Sequence, residues 1–235
     1  MPSETIARVA MISGARRGIG AEIATALARA GWRLSLGARD PASLTPPDGA
    51  DALVHRFDAR DPDSERLWAE ATAERFGRID AVIANAGIMI PKTVIAADDA
   101  DLDDLIQVNV KSPLRLVRAA WPHLVASGHG RVVTIASLSG KRVKSATSGL
   151  YAVSKFAALA LTHAIRHAGW DEGVRATAIC PGFVATDMAA GLTSRPAESL
   201  TQPRDVARIV AFLLDLPDTA SIAEIPINST LEESW

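Results

Sequence analysis

Short apolar runs alternate with longer amphipathic segments along almost the whole chain. The runs that indicate strands cover Arg8–Ser13, Arg33–Gly37, Ala52–Phe57, Ile79–Ala84, Arg131–Ser137, Val174–Cys180 and Glu224–Ile227. The segments that indicate helices cover Ile19–Ala30, Asp63–Phe76, Asp98–Ala126, Tyr151–Ala168 and Pro203–Leu214. Strands separated by helices pair in parallel, because each crossover returns the chain to the same end of the sheet. The pattern therefore predicts an α/β fold, with a parallel sheet of about seven strands and helices on both faces.

Composition excludes several other classes of protein. Of the 235 residues, 48% are hydrophobic and 22% are charged, which is typical of a globular chain. The single cysteine, Cys180, excludes an internal disulfide framework and multi-cysteine zinc sites, and we expect it to be a small buried residue. His163 and His167 are four residues apart, but no carboxylate or cysteine completes a ligand set, so we predict no metal site.

Charge and hydropathy exclude further partners. The formal net charge is −2, and no basic stripe is present, so nucleic acid is not an expected partner. No stretch reaches the roughly 18 consecutive apolar residues of a membrane span. Residues 1–18 carry charges and glycines where a signal peptide has an unbroken apolar core. These features predict a cytoplasmic protein.

A glycine-rich turn, SGARRGIG, follows the first predicted strand and contains Gly14, Gly18 and Gly20. The N-terminus of a helix presents unpaired N–H groups and a partial positive charge, and glycines let a phosphate approach them closely. The spacing is G-x-x-x-G-x-G rather than the common G-x-G-x-x-G. A tight turn without a ligand is the alternative interpretation.

A second pattern places Tyr151 and Lys155 four residues apart on one predicted helix, after Ser137 at the end of a predicted strand. A free phenol has a pKa of about 10, and a nearby ammonium group would lower it toward the range useful for proton transfer. The carboxyl ends of parallel strands are where such sheets bind ligands, which favours a reactive group over a surface pair.

Taken together, these motifs resemble those of the short-chain dehydrogenase/reductase family, in its single-domain branch. The motifs appear in the family's order, between Arg8 and Asp187: the glycine turn, Asn85–Ala86–Gly87, Asn109, Ser137, Tyr151 with Lys155, and residues Pro181 to Thr186. The resemblance implies a doubly wound Rossmann fold, which we expect to form one domain over residues 1–235.

The resemblance also implies residue roles. Tyr151 would be the general acid/base for a carbonyl or alcohol oxygen, and Ser137 would hydrogen-bond to that oxygen. Lys155 would hold the ribose hydroxyls of the nicotinamide cofactor. Asn109 would support a water-linked proton path to Lys155, although a side chain that caps a local helix irregularity is a compatible alternative.

Cofactor binding is assigned by the same resemblance to residues of the predicted cleft. These residues are Gly14, Arg16, Arg17, Gly18, Ile19, Gly20, Arg39, Asp58, Asn85, Ala86, Gly87, Tyr151, Lys155, Pro181, Gly182, Val184 and Thr186. The Val184 backbone and the Thr186 hydroxyl would reach the carboxamide. Asp58 matches a position near the adenine, but a lone aspartate is more often a turn residue.

The residues after the second strand predict NADP(H) rather than NAD(H). NAD-binding relatives carry an acidic residue at the strand's end, where this chain has Ala38 followed by Arg39. Arg17 and Arg39 suit a 2′-phosphate, because guanidinium groups pair well with phosphate oxygens. Asp40 is the competing candidate for a ribose ligand, but it precedes Pro41 and better fits a cap or turn position.

We therefore expect NADPH-dependent reduction of a small or medium carbonyl compound to an alcohol, or the reverse reaction. A non-catalytic nicotinamide-sensing protein is the alternative, and the presence of Ser137, Tyr151 and Lys155 favours the enzyme. The substrate loop should span about residues 187–201, with Met188, Leu192 and Leu200 as its main apolar side chains. For the basic residues that follow Ser137, namely Lys141, Arg142 and Lys144, an exposed loop is favoured over a role in attracting an anionic substrate.

The sequence departs from the family pattern in two further places. The connection Ala38–Asp51 is short and proline-rich, so the usual second helix is expected to be trimmed or absent. The C-terminal residues EIPINSTLEESW lack a glycine-rich ending that often packs at a subunit interface. We expect a homodimer or a homotetramer, and the missing ending makes a dimer through Asp98–Ala126 and Tyr151–Ala168 at least as plausible.

Overall fold

A computed structural model describes residues 7–231, so residues 1–6 and 232–235, including the end of the C-terminal segment discussed above, lie outside the described part. One sheet of seven strands, all parallel, forms the centre of the protein, in the order β3-β2-β1-β4-β5-β6-β7. The strands are β1 Val9–Ser13, β2 Arg33–Ala38, β3 Ala52–Arg56, β4 Ala81–Ala84, β5 Arg131–Ile135, β6 Arg175–Pro181 and β7 Glu224–Ile227. The predicted α/β class and doubly wound parallel sheet are confirmed.

Helices cover both faces of the sheet. They are α1 Gly18–Arg29, α2 Ser64–Phe76, α3 Asp99–Ile106, α4 Ser112–Ala126, α5 Gly149–Gly169 and α6 Pro203–Asp215. Helices α1 and α6 pack together on one face, and α2 packs against α4 in the layer on the other face. None of the helices among residues 7–231 is both long and apolar enough to cross a membrane.

Alternate residues of each strand divide between two apolar cores. In β1, Ala10 and Ile12 belong to the core beneath α1 and α6, whereas Met11 belongs to the core on the opposite face. Both sets are fully buried. This explains why the strands are apolar almost throughout, since a strand covered on both faces has no polar side.

Two segments differ from a plain strand–helix alternation. Between β2 and β3 the structure has only a short 3-10 turn, Pro41–Ser43, so the expected loss of the usual second helix is confirmed. The predicted long helix over Asp98–Ala126 contains a π-helical segment, Gln107–Lys111, between α3 and α4. Such segments often occur where a helix side chain serves a functional site.

Candidate active site

A cleft of about 1320 Å³ opens at the carboxyl ends of the strands. It lies where the strand order reverses between β1 and β4, the usual ligand position in such sheets. Most predicted site residues line it: Gly14, Arg16, Arg17, Gly18, Ile19, Arg39, Asp58, Asn85, Ala86, Gly87, Ser137, Tyr151, Lys155, Pro181, Gly182, Val184 and Thr186. Gly20 and Asn109 are buried behind the wall of the cleft.

The glycine turn has the geometry of a phosphate cradle. Gly14 and Gly18 have φ angles of +66° and +56°, a region that favours glycine. At Gly20, an added Cβ would clash with the Gly14 carbonyl oxygen and lie 2.9 Å from its carbon. Helix α1 begins directly after Arg17 with no side-chain cap and no acidic residue in its first turn. Its first N–H groups therefore face the cleft without competition from a carboxylate.

Asn85 holds the glycine turn rather than simply lining the cleft. Its Nδ2 donates to the carbonyl oxygens of Ser13 and Gly14, at 2.9 and 3.3 Å. The Ser13 hydroxyl oxygen accepts the N–H groups of Asn85 and Ala86, both at 3.0 Å. These bonds tie the end of β1 to the residues after β4 and so fix the two sides of the cleft.

Tyr151 and Ser137 meet as the motifs predicted. Tyr151 lies in the first turn of α5, and Ser137 lies two residues past the end of β5. Burial raises the pKa of the Tyr151 phenol to about 12, and its hydrogen bond with Ser137 acts in the opposite direction. Ser137 Oγ also lies 3.4 Å from the Pro181 carbonyl oxygen and accepts the Ser139 N–H. The phenol therefore stays protonated at neutral pH and can donate its proton.

Lys155 does not lower the Tyr151 pKa in this structure, so that part of the sequence argument is wrong. Its Nζ lies 5.7 Å from the Tyr151 ring centroid and donates instead to the Ile135 carbonyl oxygen at 2.9 Å. Burial is the dominant effect on both groups, since it disfavours each charged form. It lowers the Lys155 pKa to about 8 while raising that of Tyr151.

Asn109 lies in the π-helical segment, and its side chain is fully engaged. Its Oδ1 accepts the Ile88 N–H at 2.9 Å, and its Nδ2 donates to the Ile88 carbonyl and to Ser154 Oγ, at 3.0 and 2.9 Å. Gly87 is close by, because a Cβ there would lie 3.2 Å from Asn109 Oδ1 and 3.6 Å from Lys155 Nζ. The side chain thus joins the loop after β4 to α5, one residue from Lys155.

The residues after β6 form the floor of the cleft. Ala185 N–H donates to the Thr201 carbonyl, and Thr201 N–H donates to Phe183, so the segment is paired across the base of the substrate loop. A Cβ on Gly18 would lie 3.1 Å from Thr186 Cγ2, which places Thr186 directly over the glycine turn. Cys180, just before the floor, is fully buried as expected, and burial raises its thiol pKa to about 11.

The charged residues near the second strand are arranged as the sequence suggested, with one addition. Arg39 is exposed at the cleft, directly after β2. Asp40 caps the 3-10 turn by accepting the Ala42 N–H at 3.2 Å. Asp58 accepts the Arg60 N–H at 3.1 Å, as a turn residue does, and also lines the cleft. Arg17 forms an ion pair with Asp187 that the sequence did not indicate.

The family model for short chain dehydrogenases matches residues 8–197 of this sequence. The chain belongs to the short-chain dehydrogenase family. The resemblance inferred from the motifs is therefore confirmed, and the match covers every motif of the cleft described above.

Similar proteins include a named reductase and two solved structures. An agropine synthesis reductase of Rhizobium rhizogenes is 41% identical over 91% of this chain, and the chain spans about half of that protein, 50% of its length. An alcohol dehydrogenase from the archaeon Thermococcus sibiricus, complexed with 5-hydroxy-NADP, has a TM-score of 0.86 at 30% identity and covers 97% of this chain and 99% of its own. A metagenomic short-chain oxidoreductase in complex with NADP has a TM-score of 0.83 at 29% identity, with the same coverage.

The sequence analysis missed residues that reach the cleft from distant segments. Asn228 and Thr230, after β7, line it together with Arg195 from the substrate loop. Met188 and Leu192 line it as predicted, whereas Leu200 is buried beneath the loop. No local pattern marks Asn228, because its position depends on where β7 ends in the sheet.

One ion-pair cluster was also missed. Glu224 accepts from Lys141 Nζ at 2.5 Å and pairs with His163 Nε2 at 2.6 Å. His163 therefore does have a carboxylate neighbour, contrary to the sequence analysis, although residues 7–231 contain no group of three or more potential ligands placed to hold a metal ion. Lys141 is half-buried in this cluster rather than free in an exposed loop, and both ion pairs lower the Glu224 pKa.

Proposed function

We propose that this protein is an NADP(H)-dependent oxidoreductase that reduces a small or medium carbonyl compound to an alcohol, or catalyses the reverse reaction. The observation that carries the proposal is the meeting of Ser137, Tyr151 and Lys155 in one cleft with an uncapped helix N-terminus. The neighbours solved with NADP and 5-hydroxy-NADP support a nicotinamide cofactor in such a cleft.

The cofactor fits residues that the structure provides. The glycine turn leaves room for a pyrophosphate against the first N–H groups of α1, where side chains on Gly14 or Gly18 would meet Ala86 or Thr186. Lys155 lies beside Gly87, within reach of a ribose on the cleft floor. Val184 and Thr186 lie at the far side of that floor, where the carboxamide would bind.

In this mechanism the bound nicotinamide supplies or accepts the hydride. Tyr151 donates its proton to the substrate oxygen, and its raised pKa means that the proton is present at neutral pH. Ser137 donates a hydrogen bond to the same oxygen as negative charge develops on it. Lys155, with a pKa of about 8, can return a proton toward the phenolate, with Asn109 holding the adjoining loop and helix.

NADP(H) is preferred because no carboxylate is positioned for a ribose 2′-hydroxyl at the end of β2. Ala38 occupies that position, Asp40 is engaged as a cap, and Arg39 is exposed beside it. Arg17 offers a second guanidinium at the start of α1. Two guanidinium groups suit a dianionic phosphate.

The oligomeric state and the location of the protein are also proposals. Val153 and Phe156 on α5 are 50% and 43% exposed, which supports a homodimer through that helix, with a homotetramer as the other assembly. The cytoplasm is the proposed location. Nothing in the site favours the alternative of a non-catalytic nicotinamide sensor, because all three reactive side chains are in place.

The test is a screen of ketones, aldehydes and alcohols with NADPH and NADP⁺, followed by absorbance of the nicotinamide. Tyr151→Phe should lower turnover by about 10²-fold or more, since general acid catalysis contributes on that scale. NADPH binding should stay within about threefold of wild type, because the phenol oxygen is not a phosphate ligand. Undiminished turnover in this variant would remove Tyr151 as the proton donor.

A further inference from the structure

Three segments meet at the end of the cleft where Tyr151 lies. The first follows Ser137, the second is the substrate loop, and the third follows β7. A Cβ on Gly182 would overlap Asn228 Oδ1 and would lie 3.3 Å from Leu138 Cδ1. The third segment therefore lies directly over the cleft floor, opposite the residues after Ser137, and this region is called the substrate end below.

Arg195 is fixed at the substrate end by neutral partners. Its Nη2 donates to the Ser199 carbonyl oxygen at 2.5 Å and to Ser229 Oγ at 3.1 Å. Ser229 adjoins Asn228, so these bonds hold the guanidinium beside the segment that covers Gly182. Within residues 7–231, no carboxylate lies within ion-pair distance of Arg195. Its positive charge is therefore positioned without an acidic partner among residues 7–231.

Two more cations line the cleft from the segment after Ser137. Arg142 follows the 3-10 turn of Ser137, and its N–H donates to the Leu138 carbonyl oxygen at 3.2 Å. Lys144 is exposed two residues later, and both side chains line the cleft. Arg195 comes from a segment some 50 residues later, so the tertiary fold brings the three cations to one cleft.

The acidic lining residues of the described part form their contacts with groups other than Arg195. Among the described residues that line the cleft, the carboxylates are Asp40, Asp58 and Asp187. The first two follow β2 and β3 and act as turn residues, and Asp187 pairs with Arg17 of the glycine turn. Among residues 7–231, no acidic lining residue pairs with Arg195, which leaves its positive charge available to an anion.

We propose that the substrate of this enzyme is a carbonyl compound bearing a carboxylate, which Arg195 binds while the carbonyl faces Tyr151; this inference rests on the proposed function. A guanidinium presents parallel N–H donors that match the two oxygens of a carboxylate. The carboxylate takes no part in the reaction. The carbonyl carbon gains a hydride from NADPH, the oxygen gains the Tyr151 proton, and the products are a hydroxy acid and NADP⁺.

Lys144 has a different role from Arg195. Lys144 is exposed, so its charge raises the local concentration of an anion rather than fixing its geometry. The rate of encounter with the substrate should accordingly fall with added salt, whereas the discrimination by Arg195 should persist.

The experiment compares oxo acids, each paired with its methyl ester, as substrates with NADPH. Wild type should prefer the acids in kcat/KM by about tenfold to a hundredfold, the range of a hydrogen-bonded ionic contact. Arg195→Met should remove that preference by raising KM for the acids alone. Arg195→Lys should restore part of it, which separates a lost charge from a damaged fold. Arg208→Met, at an exposed arginine of α6 outside the cleft, is the matched control.

A binding measurement tests the carboxylate preference without depending on which oxo acids and esters are chosen as substrates. Cyclohexanecarboxylate and its carboxamide are titrated by calorimetry into the protein with and without NADPH. Tighter binding of the carboxylate, weakened about tenfold by Arg195→Met, supports the proposal. Equal binding of the two compounds, or equal turnover of acids and esters, overturns it while leaving the oxidoreductase intact. Failure to bind NADPH at all would instead contradict the proposed function. The titration without NADPH would still decide whether Arg195 binds a carboxylate.

Discussion

Arg17 and Asp187 form an ion pair that joins the glycine turn to the first residue of the substrate loop. Both side chains are more than 60% exposed, at 62% and 69%, so water screens the pair and its contribution to stability is small. The pair nevertheless occupies the guanidinium that we assign to the cofactor's 2′-phosphate. A phosphate at that position competes with Asp187 for Arg17.

The assignment of Arg17 and Arg39 to the 2′-phosphate predicts measurable effects of three substitutions on cofactor affinity. Asp187→Asn should tighten NADPH binding by a few-fold, because Arg17 no longer pairs with a carboxylate. Arg17→Met and Arg39→Met should each weaken NADPH binding by about tenfold and leave NADH binding within about twofold. Fluorescence titration of wild type and the three variants with NADPH and with NADH gives these affinities. A tenfold preference of wild type for NADH would contradict the assignment of both arginines.

The buried Lys155 predicts a pH dependence of stability with a definite sign. Its pKa falls from 10.5 to about 8 in the folded protein, so between these values the unfolded chain binds the additional proton. Stability then rises with pH across this window, by up to about 3 kcal/mol from this group. Tyr151 and Cys180, whose pKa values are raised, act in the opposite direction above pH 9 to 10.

Comparison with Lys155→Met isolates this effect, because the opposing groups are common to both proteins. Chemical denaturation at a series of pH values should show that the variant's stability advantage over wild type shrinks as the pH rises from about 8 to about 10. A difference that does not change with pH would show that Lys155 stays charged in the folded state.

Glu224 is predicted to be a positioning residue for the reactive side chains. Its two ion pairs connect Lys141, four residues after Ser137, with His163 on α5, the helix of Tyr151. Glu224→Gln should lower kcat by up to about tenfold, because small displacements between reacting groups are costly. NADPH affinity should be unchanged. Glu74→Gln, at an exposed glutamate of α2, is the control, and a change in NADPH affinity alone would disprove the role.

The pH dependence of activity gives a second test of the role of Glu224. The hydrogen bonds from Lys141 and His163 lower the Glu224 pKa, so Glu224 keeps its charge as the pH falls toward the ordinary glutamate range and loses it only below that range. The activity ratio of wild type to Glu224→Gln should therefore stay constant from neutral pH down to about pH 5. A ratio that converges near neutral pH would assign the effect to another group.

Replacing Gly20 in helix α1 with alanine is predicted to destabilise the protein, the reverse of the usual effect in a helix. Alanine inside a helix normally stabilises it by about 1 kcal/mol relative to glycine. Here the added Cβ would meet the Gly14 backbone, whose carbonyl carbon would lie 2.9 Å away. Gly20→Ala should therefore weaken NADPH binding more than tenfold and lower the melting temperature. Ala21→Ser, one residue later, should change neither quantity, and equal behaviour of the two variants would contradict the argument.

The sequence alone determined the order of the elements and most of the reactive groups. Strand and helix periodicity is local, so all seven strands were found with their ends within about two residues. The spacing of Tyr151 and Lys155 and the glycines of the turn could likewise be recognised from residues close together in sequence. Even the missing helix after β2 followed from the prolines of that connection.

Only the tertiary structure decided which distant residues meet and how burial sets their charge. Asn228 reaches the cleft, and Glu224 reaches Lys141 and His163, because the last strand lies beside β6, a pairing that no local pattern encodes. The expected lowering of the Tyr151 pKa by Lys155 failed for the same reason, since both groups are buried by segments far away in sequence. Desolvation depends on everything that surrounds a group, whereas a motif specifies only its neighbours along one helix.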